Sequence, residues 1–134
     1  MTDRTRQATL HIGEVAERVG LSLRTVRYYE EQGLFAPAGR TDGGFRLYTD
    51  SEVDRLLLIK QMKPLGFTVQ QMRELLEAHD ALVGSDGPTR QAAEQRIAEF
   101  ARDARERCEE LRDQLARAEE FARRLAAHAP GTTR

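Results

Sequence analysis

HIGEVAERVGLSLRTVRYYEEQGL, residues 11–34, is the stretch whose reading decides the fold. Ile12, Val15, Ala16 and Val19 share one helical stripe, which Gly20 closes as a C-cap. Ser22 suits the N-cap of a second helix over residues 23–32, and Gly33 ends it. About three residues separate the two, so the stretch predicts a helix-turn-helix. Leu23 and Val26 fall on one side of the second helix and are expected to face the core, with Tyr29. Arg24, Arg27 and Tyr28 lie at i, i+3 and i+4 and share another face, with Thr25 beside them. Such a basic, aromatic face suits entry into a major groove and bonding to phosphates or guanine. By spacing alone a solvated charged face fits equally well. Glu30 is expected to be structural, paired with an arginine.

Downstream, Pro37 stops helical continuation. Residues 40–41 and 45–48 flank Asp42-Gly43-Gly44, a hairpin signal. Alternation puts Arg46 and Tyr48 on one face, expected to reach phosphates, and Phe45 and Leu47 on the other, expected to hold the hairpin to the core. Thr49-x-x-Glu52 and Thr68-x-x-Gln71 are capping boxes opening two further helices, broken apart by Pro64-Leu65-Gly66-Phe67. Lys60 and Lys63 beside that break read as phosphate contacts, and Arg18, ending the first helix, as a backbone contact. Residues 89–127 contain no Gly or Pro and run too long for an ordinary globular helix. Their apolar positions, Ala93, Ile97, Phe100, Ala104, Cys108, Leu111, Leu115, Ala118, Ala122 and Leu125, step by threes and fours. That is a coiled-coil seam with one stutter at 104–108, and it predicts a homodimer. The domain plan is a flexible tail over 1–10, a DNA-binding unit over 11–83, a linker over 84–88, a dimerisation helix over 89–127 and a tail over 128–134.

The whole chain has 134 residues, one domain's worth, and 40% of them are hydrophobic. Net charge is −1, so any nucleic-acid surface must come from clustering and not from overall excess. No apolar run approaches the roughly 20 residues of a membrane span, and Met1-Thr2-Asp3-Arg4 leads into no signal-type apolar core, so a cytoplasmic location is expected. One cysteine excludes an intrachain disulfide and any multi-cysteine metal site. His11, His79 and His128 have no ligand spacing to each other or to Cys108. Paired carboxylates, nucleophile motifs and phosphate-cradling loops are absent from the sequence, so neither an enzyme nor a cofactor is expected.

Ile12-Gly13-Glu14-Val15-Ala16, Thr25-Val26-Arg27-Tyr28-Tyr29-Glu30, Gly33-Leu34 and Pro37, in that order and spacing, resemble the MerR family of bacterial transcription regulators. Arg40 and Gly44-Phe45-Arg46-Leu47-Tyr48 look like that family's first wing, and Leu65-Gly66-Phe67-Thr68 like its second. Phe45 stands where the family often has tyrosine. The resemblance implies a mainly α fold: a winged helix-turn-helix DNA-binding domain followed by a long antiparallel coiled-coil dimerisation helix. It also implies a dimer on a palindromic promoter, distorting double-stranded DNA for RNA polymerase, with a small-molecule effector in many members. The metal-responsive members place cysteines at both ends of the dimer helix, and this sequence has none there. An antiparallel pair whose residue numbers sum to 215 would set Phe100 opposite Leu115 and bring Cys108 near its symmetry mate, where oxidant could bridge the thiols. Two other readings fit parts of the sequence: an architectural DNA-bending protein, and an adaptor whose coil pairs with another protein.

Overall fold

The computed structural model describes residues 8–130. In chain order it contains α1 (Ile12–Val19), α2 (Leu23–Glu31), β1 (Gly39–Arg40), β2 (Arg46–Leu47), α3 (Asp50–Met62), a 3-10 turn (Lys63–Leu65), α4 (Val69–Gly84) and α5 (Gly87–His128). Side chains at the helix starts take up backbone donors that have no partner within the helix. The Glu14 carboxylate accepts from the His11 amide at 2.9 Å. The Ser22 hydroxyl accepts from the Thr25 amide at 3.1 Å. Thr68 and Gln71 form the reciprocal box: the Thr68 amide donates to Gln71 at 2.9 Å and the Gln71 amide donates back at 3.1 Å. At α3 the box is buried, and the Thr49 amide and hydroxyl both donate to Glu52 Oε1, at 2.7 and 2.8 Å.

The turn between α1 and α2 depends on Gly20, held at φ 70°, a left-handed conformation that side chains disfavour. Lys60 of α3 closes the same corner, its ammonium donating to the Val19 carbonyl at 2.7 Å. Val15, Val19, Val26, Tyr29, Leu56, Ile59, Met72 and Leu76 join the first four helices in one core. Two arginines fasten the end of α2 from outside. Arg55 donates to the Leu34 carbonyl at 2.7 Å and Arg73 to the Gln32 carbonyl at 2.6 Å.

The first half of α5 belongs to this same body. Phe100 is buried and packs on Phe67 with ring centroids 6.1 Å apart. The Arg96 guanidinium lies 4.5 Å over the Phe100 ring and that of Arg107 lies 4.1 Å over Phe67. Arg96 also pairs with Glu74 of α4 at 2.7 Å. From residue 109 to 130 every residue is exposed, so the second half of the helix projects from the domain.

Three expectations are corrected here. Residues 8–10 are no tail: Ala8 and Leu10 are buried, and Leu10 exchanges backbone bonds with Tyr48 at 3.0 and 2.7 Å. Residues 1–7 and 131–134 of the expected tails lie outside the described residues, while His128 still belongs to α5. Leu23 is exposed, because a nine-residue helix lying on one face can bury only Val26 and Tyr29. The long helix starts at Gly87, with Pro88 in its first turn, where a missing amide costs no helical bond, so only Ser85 and Asp86 separate it from α4.

Candidate nucleic-acid interface

The exposed face of α2 carries Arg24, Arg27 and Tyr28, as its spacing requires, with Thr25 half-buried at the turn. A groove runs along each side of the helix. The first, against the end of α3, is lined by Arg24, Thr25, Tyr28, Lys60 and Lys63. The second, against the hairpin, is lined by His11, Arg27, Arg40, Phe45 and Arg46. The fold therefore collects cations that lie far apart in sequence, although the chain as a whole is almost neutral.

Which of these cations are free follows from their partners. Arg24, Arg27 and Lys63 make no ion pair among the described residues. Arg18 is paired with Asp50 at 2.9 Å and sits at the far end of α1, lining neither groove. Lys60 spends one of its three donors on Val19 and keeps the rest of the exposed head in the first groove. Arg40 donates to the Gly44 carbonyl at 3.1 Å across the hairpin turn. The site residues read from sequence omitted Arg40. It pairs with Arg46 across the two strands, a register that the hairpin signal implied.

The hairpin is oriented opposite to expectation. Alternation does keep Arg46 and Tyr48 together, but their shared face turns inward onto Glu30 of α2. The Tyr48 hydroxyl and the Arg46 guanidinium both donate to that carboxylate, which is 13% exposed. Tyr48 is completely buried, and this removes it from the candidate phosphate contacts. Burial first, and then the hydrogen bond to the Glu30 carboxylate, push its phenol well above the ordinary tyrosine range. Arg46 keeps 52% of its side chain exposed and still lines the second groove. Phe45 does not hold the hairpin down; it is 69% exposed at the tip. The reason is local: Gly44 at φ 86° reverses the chain, and Phe45 is tied by its backbone to Thr41 at 2.8 and 3.1 Å.

The seam read along α5 divides into two parts. Ala93 and Phe100 are buried against the chain's own domain, so they leave the candidate dimer surface. Ile97, Ala104 and Cys108 are half-buried, and Leu111, Leu115, Ala118, Ala122 and Leu125 are exposed. With Phe100 turned inward, the exposed Ala101 takes its place in the stripe. The sequence 97, 101, 104, 108, 111, 115, 118, 122, 125 then steps strictly by four and three, and the stutter disappears. Phe121, 61% exposed, was missed because it stands one residue off that stripe.

No group of three or more metal-ligating side chains occurs among the described residues, and no helix there is long and apolar enough to cross a membrane. Residues 10–79 match the family of MerR HTH regulatory proteins, and residues 53–127 match the family described as MerR, DNA binding. The chain is 45% identical over 69 residues to the mercuric resistance operon regulatory protein of Bacillus cereus, covering 52% of each chain. It is 30% identical over 106 residues to the transcriptional regulator CueR of Salmonella typhi, covering 79% of this chain and 76% of CueR. It thus spans about half the length of the first of these relatives. Among solved structures, the lead(II) complex of the regulator PbrR691 from Ralstonia metallidurans CH34 has a TM-score of 0.55 at 28% identity, covering 86% of this chain and 87% of that one. HiNmlR, a MerR family regulator lacking the sensor domain and bound to promoter DNA, shares the fold with a TM-score of 0.69 at 24% identity, covering 89% and 88%. An exposed basic α2 on a winged helix-turn-helix body, with two family matches that together run from residue 10 to 127, means that the chain belongs to the MerR family of DNA-binding transcription regulators.

Proposed function

We propose that the protein binds a palindromic promoter operator as a homodimer and distorts it to control RNA polymerase in the cytoplasm. The observation that carries this reading is the pair Arg24 and Arg27. Both guanidiniums stand exposed on α2 without a carboxylate partner among the described residues, between two grooves lined by further cations. An arginine with no carboxylate partner to give up keeps all its donors for a phosphate or the acceptor pair of a guanine. The tips of the grooves, Lys63 on one side and Arg40 and Arg46 on the other, flank the helix where the phosphates of a major groove would run. The projecting half of α5 supplies the surface for a second copy.

Selection of bound fragments from the host genome yields the operator, and gel shifts on it test the interface. Arg27→Ala and Arg24→Ala are expected to weaken binding about 5- to 150-fold if they read bases, corresponding to about 1–3 kcal/mol. If they hold phosphates, the loss is equal on random DNA and the salt dependence becomes shallower by about one phosphate's worth. Unchanged affinity in both variants, with circular dichroism unchanged, overturns the interface. Binding that bends DNA without altering transcription in vitro favours the architectural reading. Absence of any salt-dependent shift favours the adaptor.

A further inference from the structure

His11 brings an imidazole to the groove between α2 and the hairpin, and no function above uses it. Its backbone is fixed from both sides. Leu10 exchanges backbone bonds with Tyr48, and the His11 carbonyl accepts from the Val15 amide at 3.1 Å. The His11 amide donates to the Glu14 carboxylate at 2.9 Å. None of these bonds involves the ring. His11 is exposed, and its imidazole makes no ion pair among the described residues.

Each element around the ring presents a charge. From α2 comes Arg27, which has no carboxylate partner among the described residues. From β1 comes Arg40, whose bond to the Gly44 carbonyl leaves its charge uncancelled. From β2 comes Arg46, which Glu30 neutralises, and Tyr48 after it is bonded to the same carboxylate. On α1 itself Glu14 is engaged by the His11 amide. No carboxylate among the described residues lines the groove. Two uncancelled guanidiniums and an imidazole therefore share one concave surface, a set of donors suited to a phosphate.

We propose that His11 binds a backbone phosphate of the operator in its protonated form, so that DNA binding takes up a proton at this groove. The inference rests on the DNA-binding reading above and adds to it the regulation of that site by pH. A neutral imidazole has one N–H, whereas the protonated ring has two and a full charge. A phosphate beside the ring favours the charged form, as any opposite charge does within about 4–6 Å. Linkage then requires tighter binding at the pH where the ring already carries its proton. Histidine changes charge between about pH 5 and 8, so affinity falls as pH rises through that range. Arginine holds its charge throughout it, and Tyr48, pushed well above the ordinary tyrosine range, stays neutral. His79 lines the cleft between α3 and α4 and His128 ends α5, so neither reaches this groove.

The test is a series of gel shifts with the full chain on its operator, from pH 6 to pH 8 at constant ionic strength. Affinity is expected to fall about three- to tenfold for each groove occupied, since a one-unit shift corresponds to tenfold. His11→Gln is expected to bind at pH 6 as weakly as the unaltered chain does at pH 8, with a flat profile. His11→Arg is expected to bind tightly at both. At pH 6 the salt dependence of His11→Gln becomes shallower by about one phosphate's worth, and the difference closes by pH 8. The side chain is exposed and the bond to Glu14 uses the backbone amide, so circular dichroism is expected to stay unchanged. A flat profile for the unaltered chain overturns the inference. So does a slope that His11→Gln retains, or a loss of equal size at both pH values, which marks a structural role for the side chain. A flat profile together with weak binding by Arg27→Ala leaves the interface standing and removes only the proton link. Full binding by both Arg24→Ala and Arg27→Ala removes the interface and the His11 contact with it.

Discussion

Glu30 shows how one side chain can decide what its neighbours are free to do. Its nearly buried carboxylate accepts from both Tyr48 and Arg46, so the hairpin is fastened to α2 by charge-assisted bonds and not by Phe45. Tyr48→Phe removes one donor from this carboxylate and is expected to cost about 1–3 kcal/mol at neutral pH in urea unfolding. The phenol also has a pH signature. Its folded pKa lies above the unfolded value of about 10, so the folded state holds the proton more tightly. The stability it contributes is full below about pH 10 and is lost as pH rises from there. Tyr29 is shifted the same way by its burial and, to a lesser degree, by Tyr28. Unfolding measured at pH 8 and at pH 11 should show a fall that Tyr48→Phe makes shallower.

Among the elements, α5 divides into a packed half and an exposed half that the sequence presents as one. Its stripe of apolar residues reads as a single seam because Phe100 and Ala101 are adjacent and either can fill the same register position. Only the position of Phe67, brought to the helix by the left-handed Gly66, decides which of them turns inward. The starts of α2, α3 and α4 were legible, because caps at Ser22, Thr49 and Thr68 act locally and their chemistry is written within three residues. The exposed face of α2 was legible for the same reason. The hairpin face was not, since two-residue strands carry no periodicity long enough to say which side meets the core, and the partner that settles it, Glu30, lies sixteen residues away. The division of α5 predicts a contrast. Phe100→Ala is expected to cost about 3–5 kcal/mol at any protein concentration, because it empties a packed aromatic site. Phe121→Ala should lower stability only through self-association, so its effect should grow as protein concentration rises through the dimer's dissociation range. Urea unfolding over a hundredfold concentration series distinguishes the two.

For the molecule as a whole, the boundary that matters runs through the middle of a helix. Removing everything after Val83 takes away Ala93 and Phe100 and strips cover from Phe67 and the α4 face that holds Met72 and Leu76, so that fragment is expected to lose cooperative unfolding. Removing everything after Glu110 keeps those contacts and is expected to give a folded monomer, checked by sedimentation and circular dichroism. The residue that makes this cut tolerable is Arg107. Its guanidinium lies on the Phe67 ring, donates to the Leu65 carbonyl at 3.1 Å and is steadied by Asp103 at 2.9 Å. Leu65 is two residues from Lys63, which lines the groove beside α2. The shaft of the molecule is therefore pinned to its head one short turn from the surface proposed to meet DNA. A rotation of the shaft about its own axis cannot be absorbed at a hinge; it must re-aim the head, as turning a spanner turns its jaw.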